Sequence, residues 1–116
     1  MSSIHRDAHN HRILVVDDHA RSRESVATVL SQQGYEVAMC SSAVEALALL
    51  SHTPCDVVVT DLQMPGMDGL EFMAEIARRQ ITSELLMITA HASVKTAVEA
   101  LRRGAFDYIE KPFDAA

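Results

Sequence analysis

Asp17 and its neighbour Asp18, then Asp61, Thr89 and Lys111, each stand where an apolar, strand-like run gives out. In a parallel sheet flanked by helices, ligands bind beyond the carboxyl ends of the strands, so residues this far apart in sequence are expected to meet in one crevice. Three carboxylates, a hydroxyl and an ammonium form a set with definite chemistry. Carboxylate oxygens suit a hard divalent cation, while lysine and threonine neutralise and hydrogen-bond phosphoryl oxygens. Clustered carboxylates repel one another and raise each other's pKa values unless a cation offsets them, so the cluster itself argues for an ion. Magnesium is the natural choice, because it accepts one or two carboxylates together with waters and phosphate oxygens. Asp61 is the candidate nucleophile, a carboxylate able to attack phosphorus and form an aspartyl phosphate. Each residue also has a plain reading: Asp61 as a turn residue, Asp18 as a helix cap beside a solvated Asp17, Thr89 and Lys111 as solvent-facing strand ends.

The elements that must position these groups are readable as an alternation. Ile13 to Val16 is a continuous β-branched run, as expected of a strand buried on both faces, and Val26, Val29 and Leu30 then recur at helical spacing before Gly34. Tyr35 to Cys40 reads as a second strand. Ser42 and Glu45 carry a capping-box pattern opening a helix expected to bury Val44, Leu47 and Leu50. Asp56 to Asp61 is the third strand, followed by turn chemistry over Pro65-Gly66-Met67-Asp68-Gly69, with Asp68 as N-cap of a helix marked by Leu70, Met73 and Ile76. Leu85 to Ile88 is the fourth strand, Val94, Ala97, Val98 and Leu101 mark a fourth helix, and Phe106 to Ile109 is a short fifth strand. Alternating strands and helices with right-handed crossovers predict an α/β, doubly wound, parallel five-stranded sheet of order 2-1-3-4-5, which makes the first and third strands neighbours.

Composition narrows the function classes. The chain has 116 residues, is 48% hydrophobic and carries a formal charge of −6, which fits one globular domain and excludes disordered or collagen-like classes. Its ten Lys and Arg are dispersed, so no footprint for direct nucleic-acid binding exists. The apolar runs are too short to span a bilayer and the polar N-terminus is not a signal peptide, so a cytoplasmic protein is expected. Residues 1–11 read as a flexible polar tail whose His5, His9 and His11 are solvated or bind metal adventitiously, and 12–116 as the domain. Cys40 and Cys55 fall at opposite ends of the proposed sheet, too far apart for a disulfide.

From Arg12 to Asp114 the chain resembles bacterial response-regulator receiver domains, with their flavodoxin-like fold. The resemblance rests on Val16-Asp17-Asp18, on Thr60-Asp61 with Met64-Pro65-Gly66-Met67-Asp68-Gly69, on Thr89-Ala90 and on Lys111-Pro112-Phe113. It implies a phosphoacceptor of a two-component system: Asp61 takes phosphate from a sensor histidine kinase and later loses it, without being a turnover enzyme. It further implies that Asp18, Asp61 and the Gln63 backbone carbonyl ligate Mg2+, that Asp17 holds a metal-bound water, and that Thr89 and Tyr108 are a switch pair altering the surface of the fourth helix and fifth strand. Gln63 and His91 match rim positions that tune dephosphorylation. The stretches Ile88 to Ser93 and Gly104 to Tyr108 look especially like the nitrogen-regulator C type of sigma-54 activators, in which an output ATPase and a DNA-binding module follow.

One departure stands out, for the chain ends just past Asp114, where the alternation calls for a fifth helix. Most or all of that helix is absent, so apolar surface on one face of the first and fifth strands is expected to lose its cover and to favour a homodimer. A cis Lys111–Pro112 bond could turn the lysine inward. Rival readings are a haloacid-dehalogenase-like phosphatase, whose acids follow an Asp-x-Asp pattern rather than an adjacent pair followed by His19, and a flavodoxin-like binder, which this acidic first loop disfavours. The alternative that keeps the fold is an interaction or dimerisation module that is never phosphorylated.

Overall fold

The computed structural model describes residues 11–90 and 93–111. The strands are β1 (Arg12–Val16), β2 (Glu36–Cys40), β3 (Val57–Thr60), β4 (Glu84–Thr89) and β5 (Asp107–Glu110), and the helices between them are α1 (Ala20–Gln32), α2 (Ala43–Leu50), α3 (Gly69–Arg78) and α4 (Val94–Arg102). All pairings are parallel and the order is β2-β1-β3-β4-β5, the expected doubly wound arrangement.

Period-two alternation sends each strand's side chains into two separate layers. Leu14, Val16, Val58, Leu85 and Met87 join one core with Leu47 and Leu50 of α2, Phe72, Met73 and Ile76 of α3, and Ala100 of α4. Ile13, Val15, Val59 and Ile88 join the other with Val26 of α1. The β-branched runs are continuous because both faces are covered. Turn chemistry sets the ends: Gly34 and Gly104 follow α1 and α4 with φ of 96° and 109°, and Asp68 opens α3 through a reciprocal capping box with Glu71.

Several expectations need correction. Val44 is 67% exposed, and Ala43 and Ala46 fill the inward positions beside Leu47 and Leu50. Ser42 caps that helix through the Glu45 N–H, but the Glu45 carboxylate turns to Ser41 instead, so the box is half closed. The fourth helix forms where Val94, Ala97, Val98 and Leu101 mark it, but it turns Ala100 into the core and leaves Val94, Val98 and Leu101 82%, 46% and 48% exposed. β5 begins at Asp107, leaving Phe106 71% exposed. The face expected to lie bare is uneven: Ile13 and Val15 of β1 are buried, whereas Leu86 and Ile109 are partly buried. Cys40 and Cys55 are buried free thiols, with Cys40 opposite Val16 at one end of the sheet and Asp56, next to Cys55, hydrogen-bonded to Arg12 at the other. The Lys111–Pro112 bond, Phe113, the cap at Asp114, the fifth helix, His91, and the tail histidines His5 and His9 lie outside the described residues. Among the described residues no helix is long and apolar enough to cross a membrane.

Candidate functional site

The sheet's hydrogen-bond ladder runs one residue past three strands, and those residues are Asp17, Asp61 and Lys111. The Asp17 N–H donates to the Cys40 carbonyl at 3.1 Å, the Asp61 N–H to the Val16 carbonyl at 3.0 Å, and the Lys111 N–H to the Thr89 carbonyl at 2.7 Å. Functional groups are therefore fixed by backbone bonds of the core rather than by loops, which limits their play. Val16 pairs with both Cys40 and Thr60, so Asp17 and Asp61 emerge side by side.

Lys111 bridges them. Its Nζ donates to Asp17 Oδ2 at 2.7 Å and to Asp61 Oδ2 at 3.0 Å. The three side chains are only 15%, 5% and 6% exposed, so an unpaired charge here would be costly. Asp17 Oδ1 accepts from the His19 N–H at 2.9 Å, and Asp61 Oδ1 from the Gln63 N–H at 3.3 Å. Burial alone would raise the Asp17 pKa; the hydrogen bonds from Lys111, His19 and Ser22 and the lysine's charge outweigh it, and the net shift is downward. Burial likewise works to lower the Lys111 pKa, but the two carboxylates overcome it and hold the ammonium above its ordinary value.

Asp18 behaves differently. Its Oδ1 is buried yet makes no hydrogen bond among the described residues; the His19 imidazole Nδ1 lies 3.3 Å away without hydrogen-bond geometry. Asp18 does not cap α1, since the N-cap is His19, with no side-chain bond. Ligand atoms of Asp17, Asp18, His19 and Asp61 all lie within 4.8 Å of one another. Two of the carboxylates share one ammonium, and an oxygen of the third has no donor among the described residues, so the residues fit a divalent cation. Thr89 is fully buried at the end of β4, beside this edge. Tyr108, on β5, is hydrogen-bonded to Thr96 Oγ1 of α4. Gln63 is exposed, and its N–H is its one described link to the cluster.

Sequence reasoning passed over three contributors. His19 was visible only as the residue after the acidic pair. Arg23, one turn into α1, donates from its guanidinium to the Asp17 carbonyl at 2.7 Å, a contact no motif announces. Gly69 reads as turn chemistry, yet its role is close approach: a Cβ there would lie 2.5 Å from the Asp61 carbonyl oxygen and 2.9 Å from both Leu62 Cα and Met87 Sδ. The Gly69 N–H bonds the Leu62 carbonyl at 2.7 Å, seating α3 directly behind Asp61.

Known proteins are similar to this chain in sequence and in fold. AtoC, a regulatory protein of Escherichia coli, is 43% identical over 103 residues, covering 89% of this chain and 22% of its own length. An NtrX-like response regulator of Rickettsia bellii is 35% identical over 104 residues, with 88% and 22% covered, so this chain spans about a fifth of each relative. The chemotaxis protein CheY4 of Vibrio cholerae superposes with a TM-score of 0.85 at 31% identity, covering 91% of this chain and 90% of that one. The family described as the response regulator receiver domain matches residues 13–116, and the chain, with its five parallel strands in 2-1-3-4-5 order, belongs to that family.

Proposed function

We propose that Asp61 accepts a phosphoryl group from the phosphohistidine of a sensor kinase, and that the resulting aspartyl phosphate changes the α4–β5 surface to control an output module. A module beginning at Arg12 carries this activity, with residues 1–11 outside it. One observation carries the reading: two strand ends present nearly buried carboxylates to one shared lysine, while a third carboxylate beside them keeps an oxygen without a donor among the described residues.

Mg2+ would be held by Asp18, Asp61 and the Gln63 carbonyl, with Asp17 reaching it through a water. When bound, it supplies positive charge against the negative charge on the transferring phosphoryl oxygens. Asp61 does the covalent work. A carboxylate oxygen forms the new O–P bond as the donor's N–P bond breaks, and the electron pair stays on the imidazole nitrogen, which takes a proton from solvent. Lys111 already binds Asp61 Oδ2, so its ammonium needs only a small displacement to meet a phosphoryl oxygen. Thr89 supplies a hydroxyl to another, and Tyr108 follows by leaving Thr96. Gln63 and His91, each two residues past Asp61 and Thr89 in the sequence, set how fast water removes the group, so the domain dephosphorylates itself without being a turnover enzyme.

Likeness to AtoC and to the NtrX-like regulator supports a parent protein of the sigma-54 activator type, in which this cytoplasmic domain controls an ATPase and a DNA-binding module without touching DNA itself. A homodimer through the expected uncovered face, of which the partly buried Ile109 of β5 remains, would be one route to that control. Incubation with acetyl phosphate and Mg2+ tests the proposal. Intact-mass measurement should show the gain of one phosphoryl group, absent in Asp61→Asn; no gain at saturating donor would leave an interaction module that is never phosphorylated.

A further inference from the structure

The acidic pair is followed by a histidine whose ring leans back over it. His19 Nδ1 lies 3.3 Å from Asp18 Oδ1 and 3.5 Å from Asp17 Oδ1, and its own N–H is tied to Asp17 Oδ1. Neighbouring ligand atoms on an octahedral ion with bonds of about 2.1 Å lie roughly 3 Å apart, close to the separation of His19 Nδ1 from Asp18 Oδ1. The imidazole is not occupied in holding the helix, since His19 is the N-cap of α1 with no side-chain cap bond, and it is 71% exposed. Asp18 Oδ1, 3.3 Å from it, has no hydrogen-bond donor among the described residues.

We infer that His19 is a nitrogen ligand at the rim of the cation site and shifts the site's preference from Mg2+ toward later first-row divalent ions. This rests on the metal site described above. An all-oxygen set suits Mg2+; one imidazole nitrogen adds little for that hard ion but strengthens binding of Co2+, Ni2+ or Zn2+ in the usual affinity order. The two ring nitrogens are distinct, and a metal on Nδ1 leaves Nε2 to carry the ring proton.

The test uses the full chain with His5, His9 and His11 replaced by alanine, so that the tail offers no competing imidazoles. Calorimetric titrations with magnesium chloride and with cobalt chloride are compared before and after His19→Ala, with the cobalt absorption bands recorded in parallel. Alanine should weaken Co2+ binding by about tenfold, shift the cobalt bands as a nitrogen donor is lost, and change Mg2+ affinity by less than about twofold. Unchanged Co2+ affinity, or equal weakening of both ions, overturns the inference while leaving the acidic site intact. A parent that binds neither ion, or binds both undiminished in Asp61→Asn, removes the metal site and the inference with it.

Discussion

Gly69→Ala is the substitution through which the packing behind Asp61 can be weighed. The new methyl would sit 2.5 Å from the Asp61 carbonyl oxygen, where ordinary contact begins near 3.4 Å, and 2.9 Å from Leu62 Cα and Met87 Sδ. Only the methionine can yield cheaply; the other two atoms are backbone, held by the Asp61 N–H bond to Val16 and the Gly69 N–H bond to Leu62. Relief requires α3 and the end of β3 to separate by most of an ångström. Overpacking of this kind costs about 1–3 kcal/mol, and the better helix propensity of alanine offsets up to about 1 kcal/mol. A net loss of about 1–2 kcal/mol is expected, measured as a drop in the urea midpoint of about 0.5–1 M at an ordinary slope for this size. The displacement also carries the Asp61 carboxylate, and misplacement of a reacting group by about 1 Å costs on the order of a hundredfold in rate. Phosphorylation from acetyl phosphate should therefore slow far more than the stability loss alone explains. A variant as stable as the parent, phosphorylated at the parental rate, would refute the reasoning.

Four further outcomes are expected. Lys111→Met leaves two buried carboxylates facing each other, so stability in metal-free buffer should fall by about 3 kcal/mol and partly return with Mg2+; urea titrations with and without the ion would detect this, and indifference to Mg2+ would contradict it. Thr96→Val removes the partner of Tyr108 and half of the Ser93–Thr96 capping box, so amide exchange in the first turn of α4 should quicken, with about 1 kcal/mol lost overall. Burial, then the charge of Glu45, pushes the Cys40 thiol up to about 11 from 9.0. With the folded value above the unfolded one, its contribution is complete below pH 9 and lost as pH rises toward 11, at no more than about 1.4 kcal/mol per unit; Cys40→Ala should flatten that slope in denaturation curves taken from pH 8 to 11. Both thiols should resist a disulfide reagent at pH 8 in native protein and react at once in denaturant, a contrast that ready native labelling would disprove.

Much of the fold was legible because a buried parallel strand leaves a continuous β-branched run, and because Gly34, Asp68 and Gly104 mark helix ends by backbone chemistry that few residues can supply. Asp17, Asp61 and Lys111 were legible for the same reason: strand ends can be read, and parallel topology collects them at one edge. The facing of α4 was not, since Val94, Val98 and Leu101 and the Ala97–Ala100 side are both helically spaced. The fold buries Ala100, a choice that spacing alone does not make. Val44 misled in the same way, its apolar side chain standing one position round from Ala43. Gly69, Arg23 and His19 act through distance to groups far away in sequence, which no local pattern encodes.

The claim on which everything else depends is that the phosphoryl group ends on the carboxylate of residue 61. Borohydride reduction of the phosphorylated chain, followed by peptide sequencing, locates it directly, since an acyl phosphate is reduced to an alcohol and its aspartate becomes homoserine. Homoserine at position 61, dependent on both donor and Mg2+, is the expected result; an unmodified Asp61, with phosphate stable on a serine, threonine or histidine elsewhere, would contradict it.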